Sequence, residues 1–406
     1  MRVLWFSVTP SLFSPKGVMH NAGGWIASLE KIMHSCEEVD LGVAFIYNDK
    51  KFKYENNGVC YYPIAPYSKI LFHKLWSNSD NVEKYLRVID DFKPDIIQVF
   101  GSENDFGKIC FHTKIPVIIH IQGCIPPYRN ALFPVDMNQY DFLFTRGMSL
   151  KRRWIGLRSK PNFKKVGERE TSIIQHCKYF MGRTDWDKGL VDLFNPKAKY
   201  FHCEEALRDS FIKSEVFWKH KENGKIRIVS TISNPWYKGV DLVLKTAKLL
   251  KKYTTLDLEW DVFGIQDIRF YEHKYKIRAN DVNVNIKGIA SKEILTSALL
   301  NASCYVHPSY IDNSPNSVCE AQYLGVPVAA CNVGGVSSLL ENGKAGILVP
   351  ANDPYTMAEK IKTICCDKKL AIGISEAEIE LAHKRHNPEL IKEQLLNIYK
   401  AILRNE

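Results

Sequence analysis

Two doubly wound α/β domains are the fold class this sequence predicts. Three observations lead there. The chain has 406 residues, about twice a typical domain and enough for two separate cores. Short apolar runs alternate with amphipathic stretches, and the runs are nearly continuous rather than alternating, as in strands buried on both faces of a parallel sheet. The alternation starts afresh after a polar, charged stretch at 213–225, "KSEVFWKHKENGK".

The elements follow in order. "RVLWFSV" (2–8) reads as the first strand, then a glycine-containing loop and a helix from about Gly24. "DLGVAFIY" (40–47), "DIIQVFG" (95–101) and "IPVIIHIQG" (115–123) read as further strands. "SIIQHCKYFMGRTDWD" (172–187) reads as a helix feeding a short strand, and "CEEALRDSF" (203–211) as another helix with no assigned role. In the second half, "IRIVSTI" (226–232), "LEWDVFG" (258–264), "VNVNIKG" (282–288), "ASCYVHPS" (302–309) and "VPVAAC" (326–331) are strands. Helices are expected at 239–253, 317–325, 355–366 and 388–404. The first domain is thus 1–213, joined by a C-terminal helix at 385–406, and the second is 214–384. Ligands of such sheets bind outside the carboxyl ends of the strands, so the space between the domains is the expected site.

Hydrophobic residues make up 45% and charged residues 25%, which excludes disorder, collagen-like repeats and coiled coil for the bulk. Eleven cysteines without CxxC spacing, mostly in apolar runs, predict free buried thiols in a reducing compartment. The N-terminus is too broken by Ser, Thr and Pro for a signal peptide, and no apolar stretch is long enough to span a bilayer. A cytoplasmic protein is expected. The net charge of +10 asks for an anionic partner.

The segment 307–350 carries the chemistry. Asp312 and Glu320 are separated by seven residues, with the polar loop "NSPNS" between them opening a helix. The amides at that helix start, those of Asn316 and Ser317, suit a diphosphate. Glu320 is placed to accept bonds from both ribose hydroxyls, as the acidic residue of a Rossmann site does. "GVPVAACNVGG" reads as a strand ending in a glycine pair that permits close backbone approach.

This segment resembles the retaining glycosyltransferases of family 4, which have the GT-B fold. Their donor motif is two glutamates seven residues apart, then a "GxPV" strand, a glycine pair and "GxLVP". Here Asp312 replaces the first glutamate, and Glu320, "GVPV" (325–328), "GG" (334–335) and "GILVP" (346–350) match. The resemblance implies a transferase that moves a sugar from a nucleotide-sugar, UDP- or GDP-linked, to a hydroxyl of a glycan or lipid-linked glycan, with retention and with no separate cofactor or metal. It implies Lys238, in "YKG" (237–239), on the donor diphosphate, and Asp312 on the donor sugar. The family's arginine six residues earlier is Ile232 here. Gly23 and Gly24 in "HNAGGW" match its glycine-rich loop facing the donor. Its histidine near the reacting centre corresponds to Gln122, with His120 two residues earlier. Strand alternation turns both to one face, and His120 is either a core histidine or a catalytic one. A GT-B sugar-nucleotide epimerase and a silent nucleotide-sugar-binding module are the alternatives.

Two segments stay open. "GRTDWD" (182–187) contains a DxD tripeptide, Asp185–Trp186–Asp187. It is either a metal-binding pair of the other glycosyltransferase architecture or an N-cap by Thr184 or Asp185, with Arg183 and Asp185 lining the acceptor side as a further option. The segment 146–169 holds nine Lys or Arg and one Glu, interleaved with Trp154, Ile155, Leu157 and Phe163. It is a solvated helix face or a patch on the inner membrane surface; no nucleic-acid-binding pattern supports that third reading.

Overall fold

The computed structural model describes residues 1–14, 24–65, 81–221 and 224–404. Two compact units emerge. The first is Met1–Ile125 with Val166–Arg208 and His386–Glu406; the second is Pro126–Lys165 with Asp209–Arg385.

The first unit holds an eight-stranded sheet in the order β3-β4-β2-β1-β5-β6-β7-β8. Its strands are β1 (Arg2–Ser7), β2 (Asp40–Ile46), β3 (Tyr54–Asn56), β4 (Val59–Ile64), β5 (Ile96–Phe100), β6 (Val117–His120), β7 (Tyr179–Gly182) and β8 (Lys199–His202). All pairings are parallel except the edge pair β3–β4. Strand alternation splits β1 between two cores. Val3 and Trp5 join one with Leu29, Leu395 and Ile398, from the helices Gly24–His34 and Pro388–Leu403. Leu4 and Phe6 join the other with Val88, Phe106 and Ile173. Helices cover both faces, which is why no polar alternation shows in these strands. The final helix is also fastened by polar bonds: Trp5 Nε1 donates to Tyr399 Oη at 3.0 Å, and Tyr399 donates to Gln98.

The second unit holds a six-stranded, all-parallel sheet in the order β11-β10-β9-β12-β13-β14. These strands are β9 (Ile226–Ile232), β10 (Leu258–Gly264), β11 (Val284–Gly288), β12 (Cys304–His307), β13 (Val328–Cys331) and β14 (Ile347–Val349). A buried relay crosses three of them. Trp260 Nε1 donates to Ser230 Oγ at 3.0 Å, and Ser230 Oγ donates to the Val306 carbonyl at 2.7 Å.

Three expectations change. The segment Pro126–Lys165 belongs with the second unit, not with the first-half domain of 1–213. The reason is packing: Phe142 lies against Trp236 and Phe270 with ring centroids 4.7 and 5.6 Å away. Lys245 reaches Asp136 at 2.9 Å and Lys274 reaches Asp141 at 2.6 Å. Secondly, 172–187 does hold a helix feeding a short strand, β7, but that helix starts far earlier, at Leu150, ends at His176, and a separate helix, Asp185–Phe194, follows the strand. Thirdly, 203–211 is helical only from Asp209, the stretch before it being extended loop.

Candidate active site

In the second unit the expected residues converge at the carboxyl ends of β9, β12 and β13. The turn Trp236–Lys238 follows β9. Gly239 ends it at φ +77°, and a Cβ there would stand 2.0 Å from the Pro308 carbonyl oxygen, so only glycine fits. The Tyr310 amide donates to the Tyr237 carbonyl at 2.7 Å, which locks this turn onto the loop after β12. From the other side Gly334, at φ +52°, lets its backbone approach the Asp312 carbonyl, which a Cβ would meet at 1.9 Å. The Gly335 amide donates to that same carbonyl at 3.0 Å. Two glycines therefore grip the loop that carries Asp312. The close approach that the glycine pair permits is, here, an approach to that loop.

Asp312 is the hub. Its Oδ2 lies 2.5 Å from Lys238 Nζ and 3.1 Å from His307 Nε2. Ser309 Oγ stands 3.5 Å from the same oxygen. Tyr128 Oη donates to Oδ1 at 3.4 Å and accepts the Asn313 amide at 3.1 Å. Burial opposes ionisation of Asp312, but the Lys238 charge and the His307 contact outweigh it and hold the carboxyl well below the usual carboxylate range. It is therefore an anion at neutral pH. Eight residues on, Glu320 sits in the helix Asn316–Leu324, buried along with Val318–Leu324. Asn316 and Ser317 at its start are half-exposed, and the preceding Pro315 supplies no capping side chain. Ile232, where the resemblance predicts a basic residue, is buried in the core.

In the first unit a second polar cluster stands at the carboxyl ends of β6, β7 and β8. Gln122 Oε1 accepts from Trp25 Nε1 at 3.1 Å, and its Nε2 donates to Glu205 Oε1 at 3.2 Å. Arg183 Nη2 lies 3.2 Å from Glu205 Oε2, and His386 Nδ1 lies 2.8 Å from the Glu205 carbonyl. His120 Nε2 stands 3.9 Å from Glu205 Oε1. His120 is 1% exposed, between the rings of Trp25 and Phe100. Burial, aided by the Arg183 charge, pushes its pKa down to about 3, so it is neutral at physiological pH. Of the two candidates near the reacting centre, Gln122 is half-exposed and His120 is sealed in the core, a position for orienting neighbours rather than touching substrate. Gly24 opens the helix Gly24–His34 at φ +61° with nothing within 4 Å of where its Cβ would stand; Gly23 lies outside the described residues.

The DxD reading does not fit. Thr184 caps the helix Asp185–Phe194 by accepting the Asp187 amide, and Asp187 is fully buried, accepting the Tyr200 hydroxyl. A carboxylate so enclosed cannot share a metal with a substrate. Among the described residues no group of three or more His, Cys, Asp and Glu side chains is arranged for a metal ion.

Sequence reasoning missed Glu205, Tyr128 and His307. Glu205 and Tyr128 meet their partners 83 and 184 residues away along the chain, so no local spacing announces them. His307 had a signal: it ends strand β12 five residues before Asp312.

Two Rossmann-like α/β units, each with a mainly parallel sheet and polar residues at the carboxyl ends, form the GT-B class of fold. Residues 212–380 match the family described as Glycosyl transferases group 1. Among curated proteins, the chain is 24% identical over 194 residues to an N,N'-diacetylbacillosaminyl-diphospho-undecaprenol alpha-1,3-N-acetylgalactosaminyltransferase of Campylobacter jejuni, 48% of this chain and 50% of that one. It is 30% identical over 219 residues to the capsular polysaccharide biosynthesis glycosyltransferase CapM of Staphylococcus aureus, 54% of this chain and 53% of that one. The chain thus spans about half the length of the curated relatives it matches. Among solved structures, sucrose-phosphate synthase from Thermosynechococcus elongatus aligns over the whole of both chains with TM-score 0.72 at 14% identity. Anabaena HepE in complex with UDP and glucose aligns over 99% of this chain and all of that one, with TM-score 0.65 at 12% identity. Identities this low establish the shared fold alone.

Proposed function

We propose that this protein is a retaining glycosyltransferase that moves a sugar from a UDP- or GDP-sugar to a hydroxyl of a glycan or lipid-linked glycan, in surface polysaccharide biosynthesis. The observation that carries this reading is the Lys238–Asp312–His307 cluster, with seven residues between Asp312 and Glu320. Glu320 binds the ribose. The half-exposed amides at Asn316 and Ser317, together with Lys238, receive the diphosphate. As the anomeric bond breaks, charge builds on that leaving group, and a prepositioned ammonium and amides lower the barrier without a metal ion. Asp312 contacts the donor sugar while holding Lys238 in place. Gln122, fixed by Trp25 and Glu205, keeps one amide hydrogen for a sugar hydroxyl. Relatives named for transfer to a lipid diphosphate and for capsule synthesis support the acceptor class, and a lipid-linked acceptor places the work at the inner face of the cell membrane.

Labelled UDP-, GDP- and ADP-sugars incubated with and without glycan acceptors test the reading. Nucleotide release that requires an acceptor is expected. Inversion at C2 without acceptor would make the protein an epimerase, and binding without turnover a silent module. Glu320→Ala is expected to weaken donor binding at least about tenfold, the loss of hydrogen bonds to a charged group; unchanged affinity removes the ribose assignment.

A further inference from the structure

The helix Leu150–His176 is inside out over its first turns. The face packed inward is small or polar: a Cβ on Gly156 would stand 2.6 Å from the Phe142 ring, and Ser159 turns its hydroxyl back to the Gly156 carbonyl at 2.5 Å. The face left to solvent carries Leu150, Trp154 and Ile155, at helical spacing. The preceding turn continues this surface. Leu143, Phe144 and Tyr140 are exposed, Phe144 and Leu150 by 82% and 84%. These residues are held as one piece. Arg153 donates to the carbonyls of Phe142, Leu143 and Thr145 at 2.7–2.8 Å, tying the helix start to the turn. Gly147, at φ +86°, sits where a Cβ would meet the Arg269 carbonyl carbon at 2.6 Å, fastening the turn to the second unit. The apolar exposure is therefore built into a rigid, well-bonded element.

The charge around it has one sign. Between Asp141 and Glu168 there are eight Lys or Arg and no carboxylate. Arg152 and Arg153 are spent on internal contacts, Arg152 reaching the Asp267 carbonyl at 3.4 Å. Lys160 lies over the Phe133 ring at 5.4 Å, and Arg146, Lys151 and Lys165 remain on the exposed side. Asp136 and Asp141, the nearest acids upstream, are already bonded to Lys245 and Lys274. Among the described residues no helix is long and apolar enough to cross a bilayer.

We propose that the surface formed by Tyr140–Ile155 lies on an anionic lipid bilayer, with Phe144, Leu150 and Trp154 entering the headgroup layer and Arg146, Lys151 and Lys165 meeting the lipid phosphates. Apolar side chains on a rigid turn, ringed by cations, have the chemistry of an interfacial anchor: burial in the acyl boundary offsets the exposure that water penalises, and the cations supply attraction to the leaflet. A second protein copy would meet the same unbroken positive charge and repel it. The inference stands apart from the glycosyltransfer reading, since it concerns only this surface.

The test is flotation of the full chain with phosphatidylglycerol–phosphatidylcholine vesicles and with pure phosphatidylcholine vesicles. Binding is expected to the first and at least about tenfold weaker to the second, because several basic residues near the surface each contribute. Arg146→Ser with Lys151→Ser is expected to lower the partition coefficient more than about tenfold. Phe144→Ser with Leu150→Ser is expected to lower it comparably and to make the residual binding sensitive to salt. All four side chains are exposed, so unchanged thermal unfolding of both variants confirms that they are folded. No partition onto anionic vesicles, or partition untouched by both variants, overturns the proposal. So does a dimer in light scattering that both variants convert to monomer, which would make the surface a contact between copies, or tighter binding to duplex DNA than to the vesicles.

Discussion

Asp312 and Lys238 meet at 2.5 Å with the carboxylate almost sealed from water. A buried ion pair of this kind contributes position more dependably than stability, since desolvation offsets much of the attraction. Tyr128 is the residue that fixes which oxygen does what. It occupies Oδ1 and takes the Asn313 amide, leaving Oδ2 to Lys238 and His307. Tyr128→Phe deletes both bonds without changing the ring that packs edge-on against Tyr237 at 5.2 Å. Stability is expected to fall by about 1–3 kcal/mol, the cost of removing buried hydrogen-bond partners. Turnover is expected to fall while binding of free UDP is retained, because the proposed ribose contact is made by Glu320 and not by Tyr128. Equal turnover in the variant and the parent would remove Tyr128 from the site. The sequence exposed this site unevenly. Asp312 and Glu320 were legible because they sit at a fixed spacing on one strand-loop-helix unit, and Lys238 because the family resemblance marks the turn after the first strand of the second half. Tyr128 and Glu205 were not, because their partners lie in distant segments and no spacing rule spans that distance.

At the scale of elements, strands were the legible part. The runs expected at 226–232 and 258–264 coincide with β9 and β10, because each carries a buried apolar stretch bounded by glycine or polar loops. The first turns of the helix Leu150–His176 were not legible, since their apolar residues point outward and Pro161 interrupts the pattern. The two gripping glycines give a sharp comparison. Gly239→Ala and Gly334→Ala each force a left-handed residue into a carbonyl oxygen, and each is expected to cost at least about 2 kcal/mol. Gly373 lies exposed in the helix Lys368–Arg385 with nothing within 4 Å, so Gly373→Ala is expected to gain about 0.5–1 kcal/mol. Chemical denaturation of the three variants measures this directly, and a stable Gly239→Ala would mean the turn is not held as described. Glu170 supplies the pH-dependent element. It accepts Ser102 Oγ and the Ile125 amide, both at 2.6 Å, joining the loops after β5 and β6. Burial, with Glu103 nearby, raises its pKa to about 7. The folded state then holds a proton that the unfolded chain releases near its ordinary pKa of about 4.3. Its contribution is fully present below that value and is lost as pH rises through about 7, a difference of about 4 kcal/mol. Glu170→Gln, neutral throughout, is expected to lose this slope relative to the parent; identical slopes would place the proton elsewhere.

For the whole molecule, the positive charge and the division into units turn on the same segment. The surplus of +10 is concentrated in 146–169, and most of that stretch travels with the second unit. The glycosyl transferases group 1 match covers 212–380 and leaves out 126–165, yet that segment supplies part of the unit's core. Phe133 and Phe142 stack into the cluster of Trp236 and Phe270. Burying each such ring contributes about 1.5–3 kcal/mol. Asp136 also shares Lys245 with the fully buried Asp241. Without 126–165, two large aromatic faces are opened and Lys245 loses one of its two carboxylates. The combined loss is several kcal/mol, a large share of the roughly 5–15 kcal/mol that holds an ordinary domain together. A fragment of 209–385 alone is therefore expected to aggregate or to unfold without a sharp transition. The same fragment with 126–165 fused ahead of it is expected to give a cooperative melt. A sharp melt of 209–385 alone, at the temperature of the fused chain, would show that the matched family segment folds without the help of its distant partner, and that the aromatic cluster is an accessory to the second unit rather than part of its core.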